Sequence, residues 1–495
     1  MNLANIINGH PPEQVAIISR NRATTYGTLV DQVAGLRGGL TELGVQQGDR
    51  VALIVGNSRF FVVSYLAIVG LGAVAVPLNP SSPAPELTRE LVTVGASTVI
   101  IGPAAVNAWR SIDRADVPLV QRVIATEGHD IDDAATLTDL IGSAPLPVVE
   151  VADNHLAVLM FTSGTAGAPR AAMLSHGNLL SNITQVIGTD DSIHAADIVY
   201  AVLPMFHIMG LNVVLGISLA VGATAVLVQR FDPTTALETI RDRKVTVVPG
   251  APPMWVDFSM VDAPADAFAT VRTALTGAAK MPEDAMRRLD ERFGVKLAEG
   301  YGLTEASPIV TSSGGGARRP GSVGKIIDGV HMRIVDEFGE DALDGDTGEI
   351  WVSGPNVFQG YLGDPESTAK VLTTDGWLRT GDIGTTDSDG FVYLVDRAKD
   401  LIIVSGFNVF PAEVEEVLLA HTGVAQVGVI GVAHPHTGEA VKAFIVPERG
   451  VHLDEDELIA YCNGELARYK CPTKVLFVDE LPRNISGKLL RRSLI

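Results

Sequence analysis

The sequence predicts an α/β fold with a large N-terminal domain built on parallel sheets and a small C-terminal α+β domain. Over the first 230 residues, short apolar runs alternate with helix-like segments, which is typical of parallel strands covered by helices on both faces. After Gly348 apolar and polar residues alternate instead, as in half-exposed strands. The chain has 495 residues, of which 46 % are hydrophobic and 50 are glycine. It is therefore too long for one ordinary core, and two or more domains are expected.

The first predicted elements are a helix, a strand and a long apolar run. The predicted helix is TTYGTLVDQVAGLRGGLTELG, which Gly44 ends, and the strand after it is RVALIVG. The run over 60–78 has 19 residues without a charge, nominally enough to span a bilayer. Because Gly70, Gly72 and Pro77 interrupt this run, a buried helix, a tight turn and a strand are favoured over a membrane span.

Further along the chain, glycine-rich or hydroxyl-rich stretches follow several apolar strands. The predicted elements, in order, are the helix APELTRELVTVGA, the strands STVIIGP, HLAVLMFTSG, IVYAVLPMFH, GATAVLVQRF, VTVVPGAP and VRTALTG, the helix PEDAMRRLDERFG and the strand VKLAEGYG. Ligands of open α/β sheets bind beyond the carboxyl ends of the strands. Several of these loops are therefore expected to converge on one crevice.

The last part of the chain is divided by a charged kink at Arg397–Asp400. Its predicted strands and helices are GEIWVSGPNVFQGY, GFVYLVDRAKDLIIVSGFNVFP, PAEVEEVLLAHTG, VAQVGVIGVAH, AVKAFIVPE, DEDELIAYCNGEL and TKVLFVDELP. The segments after the kink read as a small α+β unit. We predict an N-terminal domain of residues 1–396 and a C-terminal domain of residues 397–495.

Charge and cysteine content limit the partners and the compartment. The net charge is −21, from 37 basic and 58 acidic residues; such a surface repels nucleic acid and anionic membranes, so neither is an expected partner. Cys462 and Cys471 lack the spacing of a metal site or a disulfide framework, which favours reduced thiols. The opening segment MNLANIINGHPPEQ has no basic region followed by an apolar core, so a cytoplasmic protein is expected.

The stretch MFTSGTAGAPRAAMLSHGNL concentrates small and hydroxyl residues over positions 162–167, followed by a proline and Arg170. Small residues let backbone N–H groups approach a ligand closely, and hydroxyls add donors, which suits phosphate oxygens. The spacing is not G-x-x-x-x-G-K-[ST], so it is not a P-loop of that type. A flexible surface turn is the alternative that this stretch alone leaves open.

Six motifs in a fixed order resemble those of the acyl-adenylate-forming superfamily of AMP-binding enzymes. They are FTSGTAGAPR, LPMFHIMG, EGYGLTE, GWLRTGD, DRAKDLI and PRNISGK. The branch that the chain resembles is the acyl-CoA synthetases, which include fatty-acid and 4-coumarate–CoA ligases, and the resemblance covers essentially the whole chain. It implies an N-terminal adenylation domain of stacked doubly wound sheets and a mobile C-terminal domain.

The resemblance also implies a two-step reaction. A carboxylic acid, for which we favour a medium- or long-chain fatty acid, attacks ATP to give acyl-AMP and pyrophosphate. The thiol of coenzyme A then displaces AMP. Because the first step brings an anion to a polyanion, it needs cations, Mg²⁺ and precise positioning at the phosphates.

The resemblance assigns the nucleotide to residues of several motifs. The loop before Arg170 would wrap the β- and γ-phosphates, although Arg170 and Ala171 stand where the family commonly has lysine and glycine. Asp382 would accept hydrogen bonds from the ribose hydroxyls and Arg397 would support ribose or phosphate; a surface ion pair is the alternative for both. The implied ATP/AMP-binding residues are Thr162, Ser163, Gly164, Thr165, Gly167, Arg170, Gly277, Ala278, Ala279, Glu299, Gly300, Tyr301, Thr304, Asp382 and Arg397.

Three further residues receive catalytic roles from the same resemblance. Lys488 would reach the acyl carboxylate and the α-phosphate during adenylation, with a solvated surface charge as the alternative. Glu305, together with Thr165, would hold Mg²⁺ near the phosphates; a carboxylate at a helix N-terminus is compatible with this. His207 would lie beside the acyl carboxylate, against the alternative of a structural histidine.

The resemblance also implies an acyl site and a CoA site. The implied acyl-pocket residues are His207, Trp255, Gly300, Gly302 and Ala306, and core packing is an equal alternative for Trp255. The implied CoA-binding residues are Arg230, Ser405, Gly406 and Phe407, and Arg230 could equally be an ordinary charge at a strand end. Lys399 occupies the hinge position, about which the small domain would rotate to withdraw Lys488 and present the segment 405–408 to the thiol.

Two rival functions remain open from the sequence. One is an adenylating enzyme that loads a carrier protein; relatives of this kind of the fatty-acyl type usually carry an insertion between Glu305 and Gly348, and the 42 residues here form a compact segment. The other is a catalytically silent acyl- or nucleotide-binding sensor, which the unusual Arg170 and Ala171 keep open. The oligomeric state is not predicted.

Overall fold

The structure is a computed structural model of the chain. It describes residues 1–126, 131–162, 170–187, 192–277, 281–314, 318–336, 338–343, 345–397, 402–448, 450–482, 489 and 491–494, with the backbone alone at 395–397, 412 and 492. The described helices are α1 (Tyr26–Glu42), α2 (Arg59–Gly70), α3 (Ala84–Val94), α4 (Val106–Arg110), α5 (Leu137–Ile141), α6 (His176–Val186), α7 (Ser218–Val221), α8 (Pro233–Arg243), α9 (Pro252–Met260), α10 (Glu283–Phe293), α11 (Pro365–Val371), α12 (Pro411–Leu419) and α13 (Glu455–Glu465).

Short helical turns supplement these helices. The 3₁₀ turns are Leu3–Ile7, Pro103–Ala105, Thr304–Ala306, Arg468–Lys470 and Arg491–Ser493, and Met209–Ile217 is a π-helix.

Two large sheets form the N-terminal part. The seven-stranded sheet has the order β7 (Ala135–Thr136), β6 (Arg122–Ala125), β5 (Thr98–Ile101), β3 (Arg50–Ile54), β4 (Val74–Pro77), β8 (Leu156–Thr162) and β9 (Arg170–Ser175). The nine-stranded sheet has the order β16 (Lys325–Ile326), β15 (Ile309–Ser312), β14 (Leu297–Gly302), β13 (Thr273–Thr276), β12 (Val247–Gly250), β10 (Ile198–Ala201), β11 (Thr224–Leu227), β1 (Val15–Ser19) and β2 (Arg22–Thr25). Both sheets are parallel in their centres and antiparallel at the pairs β8–β9, β1–β2, β14–β15 and β15–β16.

Burial shows how these two sheets stack. On β3, Val51 and Leu53 pack into a core shared by both sheets, whereas Ala52 and Ile54 pack into a second core on the opposite face. A third core covers the far face of the nine-stranded sheet with residues of α8, α9 and α10. Helices therefore lie on both faces of each sheet, and the predicted class of stacked doubly wound sheets is confirmed.

The remaining strands form two smaller sheets. An antiparallel sheet has the order β17 (His331–Val335), β18 (Gly348–Ser353), β19 (Leu378–Thr386) and β20 (Val392–Arg397). The C-terminal sheet has the order β22 (Phe407–Val409), β21 (Ile402–Val404), β24 (Gly438–Pro447) and β23 (Val424–His434), and β25 (Lys474–Phe477) pairs with β24. The predicted boundary between residues 396 and 397 falls at the end of β20, and its exact position stays a prediction.

The long apolar run forms the predicted helix, turn and strand. α2 ends at Gly70, Gly72 has a φ of 71° in the turn, and β4 begins at Val74. Ser58 caps the helix by accepting a hydrogen bond from Phe61 N. Every residue from Phe61 to Gly70 is buried, because α2 lies in the core between the two large sheets. Among the described residues, no helix has the length and apolar character needed to cross a membrane.

Candidate functional site

A pocket lies where the strand ends of the two large sheets meet the C-terminal sheet domain. Its N-terminal wall includes the predicted site residues Thr162, Arg170, His207, Thr304, Glu305 and Asp382. Its C-terminal wall includes Phe407, Asn408, Phe410, Tyr469 and Lys470. The structure therefore brings predicted nucleotide, acyl and CoA residues to one crevice, as the pattern of strand ends predicted.

The two ends of the predicted phosphate loop lie side by side. β8 ends at Thr162 and β9 begins at Arg170, and these two residues are paired in the antiparallel register. Residues 163–169, with the predicted Ser163, Gly164, Thr165 and Gly167, lie outside the described residues. Also outside them are Ala278, Ala279, Lys399 and Lys488, while Arg397 is described by its backbone, which pairs with Asp382.

Tyr361, which the sequence analysis did not identify, connects Glu305 to Arg170 at the end of the predicted phosphate loop. The Tyr361 hydroxyl donates to Glu305 Oε1 at 2.7 Å. The Arg170 guanidinium lies over the Tyr361 ring, 5.5 Å from its centroid, and its Nε is 3.3 Å from Asp364 Oδ2. Burial and then the charge of Glu305 raise the pKa of Tyr361, so its phenol keeps the proton that it donates. The sequence carries no local signal for this contact, because Tyr361 and Glu305 are 56 positions apart.

The carboxylate of Glu305 supplies oxygen ligands of the kind that Mg²⁺ binds. Among the described residues, no group of three or more histidine, cysteine, aspartate or glutamate side chains could hold a metal ion. Mg²⁺ on a nucleotide needs only one or two protein carboxylates, because phosphates and water complete its octahedron. Glu305 in the pocket fits that donor set.

Asp382 lies on β19 opposite the tyrosine expected to stack on adenine. The Tyr301 hydroxyl donates to Asp382 Oδ2 at 2.7 Å, so these two predicted residues are in direct contact. The backbone around Asp382 is fixed by two further bonds, from Asp382 N to Thr380 Oγ1 and from Gly381 N to Glu349 Oε1, both 3.1 Å. An ionised carboxylate held in this way can accept further hydrogen bonds from a sugar diol.

His207 is a neutral ring at the meeting point of the two domains. Burial lowers its pKa to about 4, and Nδ1 accepts a hydrogen bond from Met209 N at 3.3 Å, which leaves the proton on Nε2. Phe407 meets the His207 ring edge-on at 5.9 Å and stacks on Phe206 at 6.3 Å, measured between ring centroids. Phe407 also stacks on Tyr469 at 4.5 Å.

A tight turn carries Phe407 to this position. Ser405 and Gly406 have φ values of 55° and 84° and connect β21 to β22. Two consecutive positive φ values are typical of a two-residue hairpin turn. Three of the four residues predicted for CoA, Ser405, Gly406 and Phe407, thus belong to one hairpin, while Arg230 is an exposed residue after β11.

At the other predicted acyl-pocket positions, packing contacts explain why these residue types are present. A Cβ on Gly302 would lie 2.0 Å from Pro308 O, so the backbone just before β15 excludes a side chain at this position. A Cβ on Gly300 would lie 3.1 Å from Thr311 O of β15, which is a tight contact. Trp255 is fully buried and its indole N–H donates to Leu275 O at 3.0 Å. Ala306 is also fully buried. Their contribution to an acyl pocket stays a prediction.

The remaining nucleotide predictions occupy the β13 and β14 strand ends. Glu299 lies on β14, where its N–H donates to Ser313 Oγ at 2.7 Å. A Cβ on Gly277, just after β13, would lie 3.3 Å from Gly300 O. These positions adjoin Tyr301, and their contact with adenine stays a prediction.

Comparison with known proteins identifies the family to which the chain is similar. A model described as AMP-binding enzyme matches residues 4–362, and one described as AMP-binding enzyme C-terminal domain matches residues 413–488. A feruloyl-CoA synthase of Amycolatopsis sp is 38 % identical over 97 % of this chain and 95 % of its own. A long-chain-fatty-acid–CoA ligase of Bacillus subtilis (strain 168) is 34 % identical over 98 % and 92 %.

A solved structure shows the same architecture in both domains. It is a double mutant of o-succinylbenzoate CoA synthetase from Bacillus subtilis, bound with its product analogue OSB-NCoA. The TM-score is 0.86 at 28 % sequence identity, and the alignment covers 100 % of this chain and 98 % of that one.

Proposed function

The chain belongs to the family of AMP-binding enzymes and is an AMP-forming acid–thiol ligase, and from this premise we propose that it joins an apolar carboxylic acid to coenzyme A. One observation carries the proposal. A single pocket contains predicted nucleotide residues such as Asp382 and Glu305, the histidine predicted for the acid, and Phe407 of the hairpin predicted for CoA.

In the first half-reaction the acid becomes an acyl donor. A carboxylate oxygen attacks the α-phosphorus of ATP, the bond to the β-phosphate breaks, and pyrophosphate leaves with its electrons. We assign Asp382 to the ribose, Thr304 to the α-phosphate and Arg170 to the β- and γ-phosphates, with Lys488 at the acyl carboxylate. Glu305 would hold Mg²⁺, with Thr165 beside it, and the ion would neutralise charge on the phosphate oxygens.

In the second half-reaction the thiol displaces AMP. The thiolate sulfur of CoA attacks the acyl carbonyl carbon, the thioester bond forms, and AMP leaves with the electron pair of the broken bond. The ring contacts of Phe407 with Phe206 and His207 support a role of this domain arrangement in the second step, because they bring the hairpin 405–408 to the predicted acyl site. The neutral His207 ring can donate from Nε2 to an acyl oxygen without adding a charge.

The contacts around His207 indicate the kind of acid that the pocket takes. Phe206 and Phe407 provide apolar surface around His207, which favours an acid with an apolar body. A medium- or long-chain fatty acid is our first candidate, and the 34 % identical relative is named for long-chain fatty acids. A hydroxycinnamic acid is the second, because a relative at 38 % identity is named for feruloyl-CoA.

An acid panel tests the proposal in two stages. ATP–pyrophosphate exchange is measured with aliphatic acids of increasing length and with hydroxycinnamic and benzoic acids, and the positive acids are then assayed with CoA. Exchange with a fatty acid and thioester formation with CoA are expected. Exchange without thioester formation would point to another acceptor, and no exchange with any acid would contradict the ligase assignment for these substrates.

Arg170→Ala is expected to raise the apparent KM for ATP by about ten- to a hundred-fold, because a hydrogen bond to a charged group is lost. Arg170→Lys should be neutral or mildly activating, since one phosphate-facing cation is kept. The measurement is the ATP dependence of pyrophosphate exchange. Asp364→Asn is the control, because it removes the partner charge of Arg170 and keeps a residue that can cap α11. An unchanged KM in the alanine variant would contradict the phosphate role.

A further inference from the structure

A buried ion-pair cluster joins the two domains beside the pocket. Lys470 Nζ lies 2.5 Å from Glu86 Oε1 and 2.8 Å from Glu413 Oε1. Glu86 belongs to α3 of the N-terminal domain, whereas Glu413 opens α12 and Lys470 ends the 3₁₀ turn Arg468–Lys470 of the C-terminal domain. The three residues are only 3–6 % exposed. The other oxygen of Glu86 accepts a hydrogen bond from Ala467 N at 2.7 Å, so both Glu86 oxygens bind the partner domain.

Such a cluster specifies one domain arrangement. Removing one member of a buried ion pair leaves an uncompensated charge away from water, which is strongly unfavourable. Lys470 can contact Glu86 only in the domain arrangement of this structure, because the two residues belong to different domains. A second pair across the interface, Arg89 with Glu465, has side chains that are 41 % and 34 % exposed and contributes little.

The cluster is connected directly to the chemistry of the pocket. Tyr469, the neighbour of Lys470, stacks on Phe407, and Phe407 contacts the rings of Phe206 and His207. Glu86 and Lys470 line the same pocket as these rings. Fixing Lys470 on Glu86 therefore fixes the hairpin that carries Phe407 against the predicted acyl site.

We propose that Lys470 and Glu86 form a latch that positions the C-terminal domain for acyl transfer to the thiol and is not needed for adenylation. The inference rests on the proposed function. Both are positioning residues, because they act through Tyr469 and Phe407. Loss of the latch should lower the population of this arrangement and slow the second half-reaction alone.

Half-reaction assays of Lys470→Met and Glu86→Gln test the latch. Acyl transfer from supplied acyl-AMP to CoA is expected to fall at least ten-fold in both variants, while ATP–pyrophosphate exchange stays within about two-fold of the unmodified enzyme. Arg89→Gln, which breaks the exposed pair across the same interface, should change neither rate. Glu86→Gln keeps the acceptor for Ala467 N, so it remains informative if the lysine variant melts early. Equal loss of both half-reactions, or no loss in either, would overturn the latch.

A distance measurement tests the latch without relying on the proposed enzymatic activity. Dyes are attached to cysteines introduced at Leu119 and Leu419, whose side chains are 57 % and 49 % exposed. Energy transfer between the dyes reports the position of the C-terminal domain relative to the N-terminal domain. The native cysteines are buried, so the dyes label the introduced ones. Both latch variants should shift the distance distribution away from that of the unmodified enzyme, without any substrate. An unchanged distribution contradicts the latch. A shifted distribution in an enzyme that forms no thioester with any acid would support the role of the ion pair in fixing the domain arrangement and would contradict the proposed function.

Glu90 is expected to make the latch sensitive to pH. It lies one turn from Glu86 on α3 and is buried; burial and then the charge of Glu86 raise its pKa to about 8. The charged and titratable groups that face it are Glu86 and Arg89 on its own helix, Tyr469 and Lys470 on the 3₁₀ turn, and Glu413 on α12. Among the described residues, Oε2 of Glu90 has no hydrogen-bond partner.

Proton linkage gives the direction in which the latched population changes with pH. If separation of the domains hydrates Glu90, its pKa falls towards its ordinary value, and the latched arrangement then binds one more proton than the open one. The latched population should decrease as pH rises towards 8, by up to about ten-fold per pH unit. The dye distance is measured from pH 6 to 9 in the unmodified protein and in Glu90→Gln, which mimics the neutral carboxyl. A pH-dependent distance that becomes flat in the variant is expected; the same profile in both proteins would contradict the role of Glu90.

Discussion

Lys488→Ala is expected to reduce acyl-adenylate formation by about a hundred- to a thousand-fold, the usual effect of removing one preorganised stabiliser of transition-state charge. Thioester formation from supplied acyl-AMP should be nearly unchanged. The lysine is assigned to the carboxylate and the α-phosphate, where negative charge concentrates in the first step only. ATP–pyrophosphate exchange and single-turnover acyl transfer measure the two steps separately.

The described arrangement supports this separation. Leu489, the residue after Lys488, packs in a cluster with Phe444, Leu481 and Leu494. In the same arrangement Phe407, which is predicted for CoA, lines the pocket beside His207. We therefore expect adenylation to use another domain arrangement than the one in which Phe407 meets His207.

Lys474→Ala is the matched control for Lys488→Ala, because it removes an exposed lysine of the same domain whose ion pair with Glu455 is largely solvated. It should leave both half-reactions unchanged. Equal loss of both half-reactions in Lys488→Ala would argue against its assignment to the first step. Lys488→Ala and Lys470→Met are expected to have opposite effects: the first should impair adenylation and spare acyl transfer, and the second should impair acyl transfer and spare adenylation.

Lys399→Pro is the second variant with a large expected effect. β20 ends at Arg397 and β21 begins at Ile402, so any rotation between the domains has to be absorbed by the few residues between these strands. Proline fixes φ near −65° and removes the N–H, which should block the change between arrangements. Thioester synthesis from acid, ATP and CoA is expected to fall by orders of magnitude, while pyrophosphate exchange persists.

Lys399→Ala provides the control for the hinge, because it removes the charge and leaves the backbone free. It should keep most of both activities. Full turnover in the proline variant would place the hinge elsewhere or show that the enzyme does not alternate. If the proline variant loses both half-reactions together, a thermal melt decides whether misfolding is the cause.

The sequence by itself determined the family, the reaction class and the α/β class of the N-terminal domain. These properties depend on local patterns, because periodic apolar residues select helix or strand and the six motifs each lie within a short stretch of chain. The interruption of the apolar run by Gly70, Gly72 and Pro77 predicted a buried helix and strand in place of a membrane span, and α2 and β4 have that form.

Only the tertiary structure decided which charged and aromatic residues meet. Glu86 and Lys470 are 384 positions apart, and a glutamate and a lysine on separate helical segments look in sequence like ordinary solvated charges. Tyr361 likewise becomes a partner of Glu305 only when the loop after β18 folds back over β9. Gly302 is small because the backbone of Pro308 approaches it. Burial and contacts between distant segments depend on packing of the whole chain, so no local pattern encodes them.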